Sequence, residues 1–483
     1  MHSPFISTVN PRKLFSIVAL VACLSFGLLV FQTEGSHAAT LAQDSTPTGT
    51  SASQAILCRD EDNNKQFTKA LADCTAAIKS DPNNADAYYY RGLVYYDTYQ
   101  ADKAIADFNQ TISLDPKYTN AYFWRALAYY DKTDYDHAIA DFDIAIQLDE
   151  HYAYAYYDRA RAYFDKGDKV HANIDFNKAI TEFTGRITKD STDSVAYDGR
   201  GRTYRRIGTY DKALSDFTEA LNIDAKYVDA YNDRGLTYYD QNDYEHAIAD
   251  YTQAIALDPT YEAAYENRGY AYYDKGDNDK AIDDLTEAIK LSPNNADPYN
   301  TRGLAYYNKN DYDHALPDFT QAIKLNPKFT AAWDNRGLAY RRQKNYDKAL
   351  ADYNQSIAIN PQNSLAFNGR GLTYYYKGDD DHAIADFNTS ITLDPKNYET
   401  YDDRGLAYFD KGIYDLALTD FNQTVKLNPK YDWGYVDRGD TYAKQGHCAQ
   451  AKADYEQALT ITPDFKAAND GLAKLKTATN CSK

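Results

Sequence analysis

Arginine and aspartate recur along this chain in register. Arg91, Arg125, Arg159, Arg200, Arg234, Arg268, Arg302, Arg336, Arg370, Arg404 and Arg438 each precede a small residue. Asp107, Asp141, Asp175, Asp216, Asp250, Asp284, Asp318, Asp352, Asp386, Asp420 and Asp454 each precede a later residue, nearly always aromatic. A guanidinium and a carboxylate at matched positions make a planar, two-bond pair. Beside core positions such pairs set register rather than do chemistry, since a buried ion pair adds little net stability. His137, His171, His246, His314 and His382 share one position and invite a metal reading. Successive helical units stand about 10 Å apart, too far for shared coordination. Lys103, Lys212 and Lys280 fill the same position elsewhere, so these side chains are expected in solvent and no metal is expected. The chain has no Gly-rich phosphate loop, HExxH, GxSxG or CxxC, so neither an enzyme nor a cofactor is expected.

Five cysteines are placed with equal economy. Cys58 and Cys74 lie near the start of the repetitive region, Cys448 and Cys481 near its end, and none between. This suggests a staple at each terminus, where an array frays, although four unpaired thiols would fit the same positions. Oxidation would require export. The N-terminus has the parts for it: Arg12 and Lys13, an apolar run from Leu14 to Phe31, then small residues at Ser36 and Ala38. Residues 1–38 read as a signal peptide cleaved after Ala38 or as an uncleaved membrane anchor, and Leu20-Val21-Ala22-Cys23 also resembles a lipoprotein box. Residues 39–55, rich in Thr, Ser, Ala and Gln, form a flexible linker. On either reading the body is expected outside the cytoplasm, secreted or anchored to the outer face of a bacterial cell membrane.

The elements that must position these residues follow from self-similarity. The 483 residues include 48 Tyr but only 1 Met and 3 Trp, a skew that a repeated unit explains. Units start at 85, 119, 153, 194, 228, 262, 296, 330, 364, 398 and 432, with a step of 34 residues except for 41 between 153 and 194. Within the first unit Tyr88, Gly92 and Tyr95 make one helical stripe, and Ala104, Phe108 and Thr111 a second. Asp102, Asp136, Asp211, Asp279, Asp347 and Asp381 stand at the start of the second helix as expected caps. Pro116, Pro259, Pro293, Pro327, Pro361, Pro395, Pro429 and Pro463 follow it. The extra seven residues, near 181–193, are expected to lengthen one helix. With a net charge of -19 the chain is a poor partner for nucleic acid.

A small residue, Tyr, Ala, Phe or Tyr and then Pro in a 34-residue helix pair resembles the tetratricopeptide repeat (TPR) family. Ala126 and Ala160 depart from its Gly, and Glu150, Thr184 and Ala225 from its Pro. The resemblance implies an all-α, right-handed superhelical solenoid: an atypical capping repeat at 56–84, eleven units over 85–463, and a capping helix and tail at 464–483. It also implies that Cys58 faces Cys74 across a hairpin, and that Cys481 ties back to Cys448.

In that family the first helices line a concave groove, and positions two, five, nine, twelve and thirteen of each unit are implied to face it. Here those positions hold an aromatic wall of Tyr89, Leu93, Tyr96, Phe123, Leu127, Tyr130, Tyr154, Tyr157 and Phe164, beside Asp97, Asp131 and Asp165. Aromatic anchors beside carboxylates suit a peptide with apolar and basic side chains. Arg202, Arg205 and Arg206 form a basic island echoed by Arg341 and Arg342, suited to carboxylates or phosphates. Asn232, Glu266, Asn300, Asp334, Asn368 and Asp402 make a polar row with Tyr239, Tyr273, Tyr307 and Tyr375, suited to peptide backbone. The expected role is a scaffold for proteins or extended peptides, with glycan binding or regulation of a separately encoded enzyme as the alternatives.

Overall fold

The computed structural model describes residues 66–477, and these consist of helices and connecting turns. A single helix, Phe67–Ser80, comes first, eleven antiparallel pairs follow, and Lys466–Thr477 comes last. First helices mostly span 13 residues, as in Ala85–Asp97, and second helices 14, as in Ala101–Leu114. The chain divides between Ala271 and Tyr272 into two compact units. The first holds the pairs beginning at Ala85, Thr119, Ala153, Ser194 and Val228, and the second the pairs beginning at Ala296, Thr330, Ser364, Tyr398 and Asp432. No helix among the described residues is long and apolar enough to cross a membrane. The apolar segment, the linker, Cys23, Cys58 and Cys481 lie outside the described residues.

Close approach of the two helices in a pair explains the small residue. A Cβ on Gly303 would stand 2.7 Å from Cε1 of Phe319, which is fully buried, and Gly92 meets Phe108 in the same way at 2.6 Å. An α-helix tolerates Gly poorly, so its use here marks a contact rather than a local preference. Ala126 and Ala160, at the same position in two units, are also fully buried.

The arginines hold this packing in register. Arg302 donates from Nε to Asp318 Oδ2 at 2.8 Å and from Nη2 to Asp318 Oδ1 at 2.7 Å, joining the helices of its own pair. Its Nη1 donates to Thr286 Oγ1 at 3.0 Å, on the second helix of the preceding pair. The guanidinium also lies 5.8 Å from the ring of Tyr299. The same fork recurs, for example, from Arg125 to Asp141, Arg234 to Asp250 and Arg404 to Asp420. The third bond goes to Asn109, Thr218 and Asn388 in those cases. One residue therefore ties three helices. The position-four aromatics Tyr88, Tyr122, Tyr156 and Tyr231 cover these guanidinium groups from one side.

Two local expectations are revised. The side-chain caps of the second helices stand two residues before the aspartates expected to cap: Asp134 accepts from the His137 amide at 3.3 Å, and Asp168, Asp243, Asp311 and Asp379 act alike. Asp136 lies inside the first turn, where it suits the helix dipole, and pairs with Lys166 of the next repeat. Asp347 pairs with Lys377 at 2.7 Å and Asp381 with Lys411 at 2.7 Å. The histidines are exposed, but not idle. His137 Nδ1 is 2.7 Å from Asp134 Oδ2, and its ring stacks on Tyr129 at 5.1 Å. Lys103, in the same position, lies 5.2 Å from the ring of Tyr95.

The longer repeat step becomes a longer helix. Lys169–Lys189 has 21 residues, and its added turns carry Phe183 into full burial. Phe183 packs edge-on to Tyr154 at 5.0 Å, and a Cβ on Gly199 would stand 2.4 Å from its Cζ. At the chain end Phe465 meets Trp433 at 4.9 Å, and Ala468 of the last helix is fully buried against the final pair.

Candidate functional site

The first helices of successive pairs lie side by side, which brings equivalent positions of neighbouring repeats together. Three rows of contacts result. At position five the aromatic residues are packing: Tyr89 lies 4.9 Å from Tyr118, Phe123 lies 5.0 Å from Tyr152, and Tyr157 lies 6.0 Å from Phe176. Tyr89, Phe123, Tyr154 and Tyr157, with Leu93 and Leu127, are buried. These residues were expected on the wall of a groove. They are core instead, because rings of this size fill the gap between adjacent first helices.

Further along the chain the same row is polar and equally buried. Asn267 donates to Asn232 at 2.9 Å, Asn335 to Asn300 at 2.9 Å, and Asn368 to Asp403 at 3.0 Å. Glu266 accepts from Tyr270. The amides expected to meet peptide backbone thus spend hydrogen bonds on the neighbouring repeat. The basic island is revised for a similar reason. Arg202 is only 1% exposed and forms ion pairs with Asp198 and Asp233. Burial draws its pKa down, but the two carboxylates outweigh that and hold it well above the ordinary value. Arg205 is buried and paired with Asp240 at 3.1 Å, and Arg341 is buried 5.7 Å from the ring of Tyr376.

Positions twelve and thirteen make the third row, which reaches the surface. Tyr96 is half-buried, stacks edge-on to Trp124 at 5.2 Å, and bonds Asp131 of the next repeat. Tyr130, itself buried, donates to Asp165. Arg342 donates to the Tyr307 hydroxyl at 2.8 Å, and Tyr375 donates to Asp410. Asp131 and Phe164 are exposed, and Asp97, Asp165, Arg206 and Arg342 partly so. Arg161, absent from the sequence-based set, belongs here. It lies 4.7 Å from the ring of Tyr130 and pairs with Asp158 at 2.8 Å. Its place at position nine of its unit is the signal that identifies it.

Three carboxylates stand apart because burial is poorly compensated. Burial pushes Asp334 up to about 7 and Glu399 up to about 7, and Asp402 well above the carboxylate range. Asp334 Oδ2 accepts from Asn363 at 2.7 Å, whereas its buried Oδ1 accepts no hydrogen bond. A carboxyl raised from about 3.9 unfolded contributes stability that is complete below pH 4 and is lost as the pH rises through its folded value. Asp334→Asn keeps the shape without the charge. It is expected to match the wild type in thermal melting at pH 4 and to melt higher at pH 8. Equal melting at pH 8 would show that ionising Asp334 in place costs the fold nothing. Among the described residues no group of three or more His, Cys, Asp and Glu is arranged to hold a metal ion.

A family model described as TPR repeat matches residues 201–241, 235–276, 269–310, 371–412 and 405–446. Models described as tetratricopeptide repeat match 59–119 and 300–364, 119–152, and 434–465. A search of the curated proteins finds no match. Similar solved structures include that of the APC/C Cut9-Hcn1 hetero-tetramer, at 14% identity and a TM-score of 0.45, covering 88% of this chain and 96% of that one. Yeast Tom70 is 15% identical with a TM-score of 0.41, covering 87% and 98%. YrrB, described as a TPR protein with an unusual peptide-binding site, is 25% identical with a TM-score of 0.33, covering 38% and 95%.

Proposed function

Because this chain belongs to the tetratricopeptide repeat family, we propose that it is a non-enzymatic scaffold that holds proteins or extended peptides outside the cytoplasm. The observation that carries this reading is the third row: Tyr96, Asp97, Asp131, Phe164 and Asp165 reach the surface along neighbouring first helices, with aromatic edges beside carboxylates. Such a strip suits a segment of mixed apolar and basic side chains. Export rests on the apolar N-terminal run after Arg12 and Lys13, and the disulfide state of Cys74 and Cys448 supports it. Their proposed partners are Cys58 and Cys481.

The test is to immobilise the full chain in mild detergent and identify what it retains from an envelope extract of its own organism. The control is the Asp131→Ala, Phe164→Ala double variant. A defined protein held by the wild type and lost by the double variant is expected. Retention of glycan alone, or identical retention by the wild type and the double variant, would overturn the protein-scaffold reading.

A further inference from the structure

The buried row at position five contains the same constellation twice, once complete and once lacking a part. In the first instance Asp198 at position five lies beside Asp233 at position six of the next repeat. Tyr227 donates to Asp198 Oδ2 at 3.5 Å, and Arg202 at position nine is ion-paired with both carboxylates. In the second, Asp402 and Asp437 occupy those two positions, and Tyr431 donates to Asp402 Oδ2 at 3.4 Å. Position nine there is Leu406.

What the leucine withholds shows at Asp402. This residue is 4% exposed, and its buried Oδ1 accepts no hydrogen bond. The charges acting most strongly on it are Asp437, Asp403 and Glu399, all of them carboxylates. Burying a carboxylate among others is costly unless a cation or a proton compensates. Elsewhere in this row the neighbouring groups are matched as amide with amide, amide with carboxylate, or two carboxylates with a guanidinium.

We propose that the Asp402–Asp437 pair, with Asp403 beside it, is a binding site for the guanidinium or ammonium group of a partner's arginine or lysine side chain, which takes the place that Arg202 fills internally. The site deepens the scaffold reading by naming a basic peptide as its ligand, and it rests on that reading. A guanidinium fits better than an ammonium, because its fork satisfies two carboxylates at once, as Arg202 does. Leu406 is half-buried, so the position an incoming side chain would occupy adjoins the surface.

The experiment is a calorimetric titration of the full chain with a Gly-Ser peptide carrying one central arginine, and with its citrulline twin, which has the shape without the charge. The arginine peptide is expected to bind at least tenfold more tightly. Leu406→Arg supplies the missing cation internally, so it is expected to abolish that preference and raise the melting temperature. Asp402→Asn, which is close to isosteric, provides the same loss of preference if the arginine variant fails to fold. Equal binding of the two peptides by the wild type, or a preference that survives Asp402→Asn, overturns the site and leaves a shared proton as what compensates the pair. A protein retained equally by wild type and Leu406→Arg would also overturn this site while sparing the scaffold. Arginine selectivity with no protein retained would leave the site standing and sink the scaffold.

Discussion

Replacing Arg302 by Met is expected to destabilise the protein by about 3 kcal/mol, because removing one partner of a largely buried ion pair leaves the other without compensation. Asp318 is 8% exposed in its side chain and would lose both donors of the fork, while Thr286 would lose its link to the next pair. Met keeps much of the apolar stem that lies along Tyr299, so the loss reports charge and hydrogen bonding rather than volume. The measurement is urea denaturation followed by circular dichroism. Adding Asp318→Leu to the variant should recover part of the loss, since two apolar groups can replace a buried pair. An unchanged midpoint in the single variant would show that the fork sets alignment without stabilising it.

Phe183→Ala is expected to cost about 3–5 kcal/mol, the range for truncating a fully buried phenylalanine. The residue belongs to the added turns of Lys169–Lys189, and it fills space against Gly199 and Tyr154 that no other side chain occupies in the same way. Gly199 leaves a site shaped for a ring, so Phe183→Leu should lose less but still measurably. Differential scanning calorimetry with both variants decides the point. If the alanine variant melts like the wild type, the longer helix is an insertion that the neighbouring repeats tolerate rather than use.

The period of 34 residues and the alternation of Gly with Phe or Tyr made the helix pairs legible, because both are constraints of close packing written at fixed positions. The fork from arginine to aspartate was legible for the same reason. Its third bond was not: the acceptor is Asn109, Thr218 or Asn388, and these residue types share only an oxygen at the right height. The cap was misplaced by two residues because Asp134 and Asp136 both fall in the region where a carboxylate suits a helix start, and only geometry separates them. The candidate site was the least legible part. Position alone says that Phe123 and Asn232 lie on the inner row, but whether such a side chain faces a ligand or its neighbour depends on how closely adjacent first helices approach. Here they come close enough for Asn232 to bond Asn267 and for Phe123 to be fully buried.

The third bond of the arginines bears on how such a chain changes length. Arg336 reaches back to Thr320, and Arg302 reaches back to Thr286, by the same atom at 3.1 and 3.0 Å. Were the 34 residues from 296 to 329 absent, Arg336 would find Thr286 where Thr320 had been. Each repeat thus carries a plug for the repeat before it and a socket for the one after, and any two of matching length can be mated. Gain or loss of a whole repeat leaves no broken seam, so copy number is free to drift under selection for reach while the chemistry of the joints stays the same.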